Sequence, residues 1–151
     1  MAASDILRNN VKDKLARGEV VASMTVRLSR SIEIARIAKT AGFDMLYIDL
    51  EHSPLTMDAT GQICLACLDT GIMPAVRVPA NTSDYISRIL DAGALGVIAP
   101  HVRSAAEARD VVRAAKLPRS ASARTPASSL TCNTVRSRRK RPARRSTKPP
   151  W

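Results

Sequence analysis

The chain has 151 residues and a net charge of +11, yet residues 1–117 hold 14 Lys+Arg against 13 Asp+Glu, whereas residues 118–151 hold 10 Lys+Arg and no acid. That length suits one modest domain with its own core, no apolar stretch is long enough to span a membrane, and the polar start (Ser4, Asp5, Arg8, Asn9, Asn10) does not read as a signal peptide. Three cysteines make an odd count without a disulfide framework, which fits a reducing compartment, so a cytoplasmic protein with no membrane partner is expected.

Helix and strand signals alternate along the first 116 residues. Ser4 is placed to cap a helix over about 5–17, with Ile6, Leu7, Val11 and Leu15 at helical spacing and Gly18 beyond its end. Residues 20–26 read as a strand. Ser31 precedes an amphipathic helix carrying Ile32, Ile34, Ala35, Ile37 and Ala38, closed by Gly42. Residues 43–50 form a second strand, Thr56 opens a third helix and Gly71 stops it. Residues 74–78 make a short strand, and Thr82 or Ser83 caps a helix to about Ala92. Residues 96–100 are a fourth strand, and Ser104 with Glu107 has capping-box spacing before a helix over 105–116.

Strand ends therefore fall near residues 26, 50, 78 and 100, about one βα unit apart. Short strands alternating with longer helices imply a parallel sheet with helices outside it. Four units make either a small open sheet or half of an eight-unit barrel. The short apolar strands carry no edge protection, which favours the half barrel and predicts an exposed flank prone to self-association.

Polar residues collect at these strand ends: Arg27, then Asp49, Glu51 and His52, then Arg77, then His101. Unpaired carboxylates and imidazoles cost several kcal/mol to bury, so such a cluster belongs where strands emerge at a pocket. In βα-repeat proteins the carboxyl ends of the strands are the usual place for chemistry. His52 beside two acids suits a general base, and Arg77 between Val76 and Val78 suits a carboxylate or a developing enolate. A capping histidine and a structural arginine salt bridge are the bland readings of the same residues. Cys64 and Cys67 have CxxC spacing inside an apolar helical run, which reads as two small buried residues rather than a zinc site.

Several segments together resemble the HpcH/HpaI aldolase/citrate lyase family, the metal-dependent (class II) pyruvate aldolases. They are Ala41-Gly42-Phe43-Asp44, Tyr47-Ile48-Asp49-Leu50-Glu51-His52, Val76-Arg77-Val78-Pro79, Ile89-Leu90-Asp91-Ala92-Gly93-Ala94 and Val97-Ile98-Ala99-Pro100. The resemblance covers about residues 10–116. It implies a (β/α)8 TIM-type barrel, here truncated to about its first four βα units. It also implies cleavage of a 4-hydroxy-2-oxo acid to pyruvate and an aldehyde, with Mg2+, Mn2+ or Co2+ stabilising the pyruvate enolate. A homo-oligomer is implied as well. By the same resemblance His52 is the catalytic histidine, Arg77 the arginine on the enolate oxygen, and Asp91 the acid paired with the histidine. Asp49 and Glu51 would line the pocket. Asp91 falls at a helix end, on the far side of a barrel from such a mouth unless a neighbouring subunit supplies it.

The pattern stops after Lys116. Residues 118–151 contain no Gly, Ile, Met, Phe, Tyr, Asp or Glu, so they cannot bury enough apolar surface to offset their ordering entropy and are expected to be disordered. The family's metal-binding Glu and Asp, from later strands, have no counterpart after Asp110, which predicts no metal site in this chain and little or no turnover by it alone. A division into a partial aldolase barrel (1–117) and a non-native, frame-shifted or mis-spliced basic tail (118–151) follows. The competing reading is a non-catalytic remnant or a nucleic-acid-binding protein acting through residues 136–145. Against nucleic acid, the tail's one aromatic is Trp151 at its last position.

Overall fold

A computed structural model describes residues 9–116. They form α1 (Asn10–Ala16), β1 (Ser23–Val26), α2 (Glu33–Thr40), β2 (Met45–Asp49), α3 (Met57–Thr70), β3 (Met73–Arg77), α4 (Ser83–Asp91), β4 (Gly96–Ile98) and α5 (Ala105–Ala115). The expected tail at 118–151, its basic run at 136–145 and the Ser4 cap with residues 5–8 lie outside the described residues.

All strand pairs are parallel, and the sheet order is β1-β2-β3-β4. Each crossover advances the sheet by one strand in the same direction. Right-handed crossovers then put every helix on one face, and α2 packs on α3 and α4 on α5. A doubly wound sheet would reverse direction and place helices on both faces. The arrangement is that of consecutive units of a (β/α)8 barrel, the alternative that the unprotected strand edges favour. Among the described residues no helix is long and apolar enough to cross a membrane.

The core lies between sheet and helices. Strand side chains alternate between the two faces, and Val26, Leu46, Ile48, Val76 and Val78 point to the helices, where they bury against Ala35, Ala38, Ile63, Cys64, Cys67, Ile86 and Ile89. Helix ends follow local chemistry. Thr56 Oγ1 accepts from the Ala59 amide at 3.2 Å, and Gly71 closes α3 in the left-handed region, where only glycine is unstrained (φ 70°). Ser104 Oγ accepts from the Glu107 amide, while the Glu107 carboxylate reaches one residue further back, to the Arg103 amide.

Three expectations need correction. Among the described residues the first helix starts at Asn10, with Asn9 as its cap, the Asn9 side chain accepting from the Lys12 amide. β1 is shorter than residues 20–26 because its partner β2 begins only at Met45, opposite Ser23. The Asp44 carboxylate instead takes the Ala22 amide (3.1 Å) and the Lys14 ammonium (2.6 Å), which ends the ladder. Thr82 holds the cap position of α4 but makes no side-chain capping bond.

Cys64 and Cys67 are fully buried, and burial pushes both thiols up to about 12. Thiolate is the reactive form. Both residues are therefore expected to stay unmodified by iodoacetamide in the folded chain and to alkylate in urea, as read by peptide mass mapping. Modification under native conditions would contradict the packing of α3.

Candidate active site

Register builds the site. Asp49 pairs with Arg77 and Arg77 with Ile98. Arg27 directly follows Val26, whose partner is Ile48. Because Ile48, Val76 and Val78 face the helices, Asp49 and Arg77 face the other side of the sheet at its carboxyl end. The result is a row of arginine, aspartate and arginine across the ends of β1, β2 and β3.

Asp49 is the hub. It is 1% exposed. Its Oδ1 accepts from Arg77 Nε at 3.0 Å and from the amides of Glu51 and His52 at 3.0 and 3.1 Å. Its Oδ2 accepts from Arg77 Nη2 at 2.6 Å, with Arg27 Nε at 3.4 Å. The carboxylate thereby folds residues 49–52 into a tight turn that sets the position of His52. The Arg77 hydrogen bonds, opposed by burial and helped by the two amides, hold the Asp49 pKa down at about 2.

A depressed carboxylate pKa contributes stability that is complete above the ordinary value of about 3.8 and is lost as pH falls through the folded value. The contribution here is about 2 kcal/mol. Urea unfolding is expected to show that loss between about pH 4 and pH 2, and Asp49→Asn should flatten the profile in this window. An Asp49→Asn profile as steep as the wild type would contradict the assignment.

Arg77 stays partly open to solvent, its side chain 24% exposed. Of its five N–H donors, two hydrogen-bond Asp49, and Nη1 lies 3.0 Å from Glu51 Oε2. One N–H on each Nη is left to receive a ligand. The guanidinium carbon stands 5.8 Å from the centre of the Tyr47 ring, which backs it from the row below.

Glu51 lies across the mouth. Its Oε1 is 2.7 Å from His101 Nε2. Its Oε2 is buried without a hydrogen bond, Arg77 being a charge contact without hydrogen-bond alignment. His52 Nε2 is 3.7 Å from the same oxygen, beyond hydrogen-bond reach. The His52 side chain is 57% exposed, and its backbone carbonyl accepts from Arg27 Nη2 at 2.6 Å and Nε at 3.1 Å. Ser53 Oγ donates back to the Asp49 carbonyl, closing the turn.

The strand ends therefore bring Asp49, Glu51, His52 and Arg77 together, with Arg27 and His101 beside them. Asp91 is not among them, in line with its place at a helix end. It is the last residue of α4, and a helix that returns from a strand's carboxyl end finishes at the opposite edge of the sheet. There it lines the groove between α4 and α5 with Ser87, Leu90 and Arg113.

A divalent cation fits poorly among the described residues. Both Asp49 oxygens are taken by Arg77 and backbone amides, and Glu51 Oε2 already faces the Arg77 guanidinium. No group of three or more His, Cys, Asp and Glu is placed to hold a metal there. What this arrangement can do is bind an anion at Arg77 and move a proton at an imidazole a few ångströms away.

The sequence model of a family described as HpcH/HpaI aldolase/citrate lyase matches residues 23–139, running past the change of composition at Pro118. A 4-hydroxy-4-methyl-2-oxoglutarate aldolase of Chaetomium globosum is 40% identical over 111 residues, 73% of this chain and 41% of the relative. A 2-dehydro-3,6-dideoxy-6-sulfogluconate aldolase of Pseudomonas putida is 40% identical over 91 residues, 60% of this chain and 36% of the relative. The crystal structure of an HpcH/HpaI aldolase from Desulfitobacterium hafniense superposes with a TM-score of 0.69 at 33% identity, covering 72% of this chain and 42% of that one. The chain thus spans about two-fifths of the length of the curated relatives first matched.

Proposed function

The chain belongs to the HpcH/HpaI aldolase/citrate lyase family, and on that premise we propose that its strand-end mouth serves carbon–carbon bond cleavage of a 4-hydroxy-2-oxo acid to pyruvate and an aldehyde. The observation that carries the reading is the Asp49–Arg77 clamp. It presents two unengaged guanidinium N–H groups beside His52 at the carboxyl end of a parallel sheet.

In this reading the 2-oxo acid places its carboxylate and 2-oxygen against Arg77, whose fork geometry suits two oxygens of one planar group. As the bond between C3 and C4 breaks, negative charge moves onto the 2-oxygen. A fixed guanidinium stabilises that charge without reorganising. His52 takes the proton of the 4-hydroxyl, whose oxygen becomes that of the aldehyde, and a proton returned to C3 of the enolate completes pyruvate. Asp49 does no proton work, since its low pKa and its partners keep it a carboxylate; it holds Arg77 and His52 in position. A divalent cation is implied by the family and would add a second positive charge at the enolate oxygen. The described residues do not make its site, and no step above depends on it.

Two further parts belong to the proposal. Asp91 acts, if paired with His52, across a subunit contact in a homo-oligomer. The boundary at Pro118 separates family sequence from an out-of-frame tail. The encoding DNA tests that boundary: a second frame rich in glycine and acids after codon 117 would support it. The family match that continues to residue 139 stands against a complete break.

The functional test is pyruvate release from 4-hydroxy-4-methyl-2-oxoglutarate by the full chain with Mg2+, Mn2+ or Co2+. Little or no release is expected, because Arg77 alone carries the enolate charge, and whatever is released should fall to the buffer rate in His52→Ala. Release that is unaffected by His52→Ala would overturn the assignment. Fast cation-dependent release would overturn only the expected low rate.

A further inference from the structure

We infer that two copies of this chain close a single eight-stranded barrel, β4 of each pairing in parallel with β1 of the other and α5 of each packing on α2 of the other. The inference goes beyond the reading of the mouth and does not depend on it.

The sheet runs one way, β1-β2-β3-β4, so its two edges are β1 and β4. Each edge strand leaves the backbone groups on its outer side without a strand partner among the described residues, a template for another strand. Burial falls off toward the same edges. The inner strands β2 and β3 bury three residues each. β1 buries Val26 alone, and β4 buries none. Nor does α5 bury any residue, although Val111, Ala114 and Ala115 lie against the core. The fold is under-covered at the two places where a barrel would continue.

The helices at those places carry apolar flanks that suit each other. In α2, Ala35 and Ala38 are in the core, and Ile32 and Arg36 line the groove shared with α3. At about 100° per residue, Ile34 and Ile37 fall on the opposite flank, turned away from α3, and Ile37 is 57% exposed. Successive helices of a one-direction sheet share one orientation. Measured from the core-facing Val111, Ala114 and Ala115, Val112 therefore takes in α5 the place that Ile32 and Arg36 take in α2, the flank toward the next helix. It is 51% exposed. Burying Ile34 and Ile37 of one copy against Val112 of the other removes both apolar patches from water.

A second copy engages both ends at once. Four strands are half of an eight-stranded barrel, and a two-fold axis along the barrel keeps all eight parallel while making the two β4–β1 contacts identical. A head-to-tail contact that would otherwise propagate then closes at two copies. The four strands take up residues 23–98, so residues 117–151 are too few to supply four more. Met45, Tyr47 and Met73, half-buried on the sheet face away from the helices, become the lining of a filled interior.

The test is the mass of the full chain in solution by sedimentation equilibrium, joined to amide exchange read by mass spectrometry. A dimer is expected. Ile37→Glu, at an exposed helix position, should fold by circular dichroism and weaken the dimer at least about 100-fold, because an unpaired carboxylate would be buried at both contacts. Val112→Lys should act alike, and the chain carrying both substitutions should recover the dimer, each contact then pairing an acid with a base. Leu65→Lys, exposed on α3 away from both flanks, should leave the dimer as it is. The amides of Ser23–Val26 and Gly96–Ile98 should exchange more slowly in the dimer than in Ile37→Glu. A monomer at every concentration, an assembly larger than two, or a dimer that Ile37→Glu and Val112→Lys leave intact would overturn the inference. So would edge strands that exchange equally fast in dimer and monomer.

Discussion

Replacement of Asp49 by alanine is expected to lower folding stability by about 3 kcal/mol, the low end of the cost of removing one partner from a buried ion pair. Asp49 is 1% exposed and accepts four hydrogen bonds, two from Arg77 and two from the Glu51 and His52 amides. Alanine leaves all four donors without an acceptor. Arg77, at 24% exposed, can turn partly toward water, which is why the upper end of the range is not expected. Asparagine keeps one oxygen for the amides but gives up the charge and turns an NH2, a donor, toward one Arg77 N–H, so about half that loss is expected for Asp49→Asn. Urea titration at neutral pH, with an unchanged m value, measures both. A loss below about 1 kcal/mol for Asp49→Ala would mean that the Arg–Asp–Arg row is surface decoration.

Arg77→Met is expected to weaken pyruvate binding by at least about 100-fold, because forked charge-assisted bonds to a carboxylate are each worth more than neutral ones. Methionine fills much of the same volume over Tyr47, and Arg27 Nε at 3.4 Å still faces Asp49. Arg77→Met should therefore fold, at reduced stability, and circular dichroism checks that before binding is read. Arg77→Lys separates charge from shape. An ammonium keeps the attraction but cannot hold Asp49 and a planar 2-oxo acid at once, so an intermediate loss is expected. Pyruvate affinity equal to wild type in Arg77→Met would remove the anion from this mouth.

Much of this site was legible in the sequence because parallel strands of similar spacing must deliver their end residues to one edge. Asp49, Glu51, His52 and Arg77 were named on that ground and meet there. The part that was not legible depends on which atoms meet across strands. Periodicity places Asp49 at a pocket but does not say that both its oxygens are spent on Arg77 and on backbone amides. Nor does it say that Glu51 reaches from the end of β2 to His101 beyond β4, a contact between residues 50 apart in sequence. Asn81 carried a weak signal, a turn residue after Pro79, but its bond to the Pro100 carbonyl is a tertiary fact. Asp91 went the other way. The helix ending at that residue already placed it far from the mouth, and only the family resemblance drew it in. β1 starts three residues late for a local reason: the Asp44 carboxylate, held by the Lys14 ammonium, takes the Ala22 amide.

The central claim is that Arg77 receives a 2-oxo acid or its enolate beside His52. A crystal structure of the chain soaked with oxalate, a planar mimic of the pyruvate enolate, tests it most directly. The expected result is oxalate with two oxygens within about 3 Å of the Arg77 Nη atoms, hydrogen-bond distance, and with the Asp49–Arg77 clamp intact. Oxalate bound elsewhere on the chain with the guanidinium untouched would contradict it.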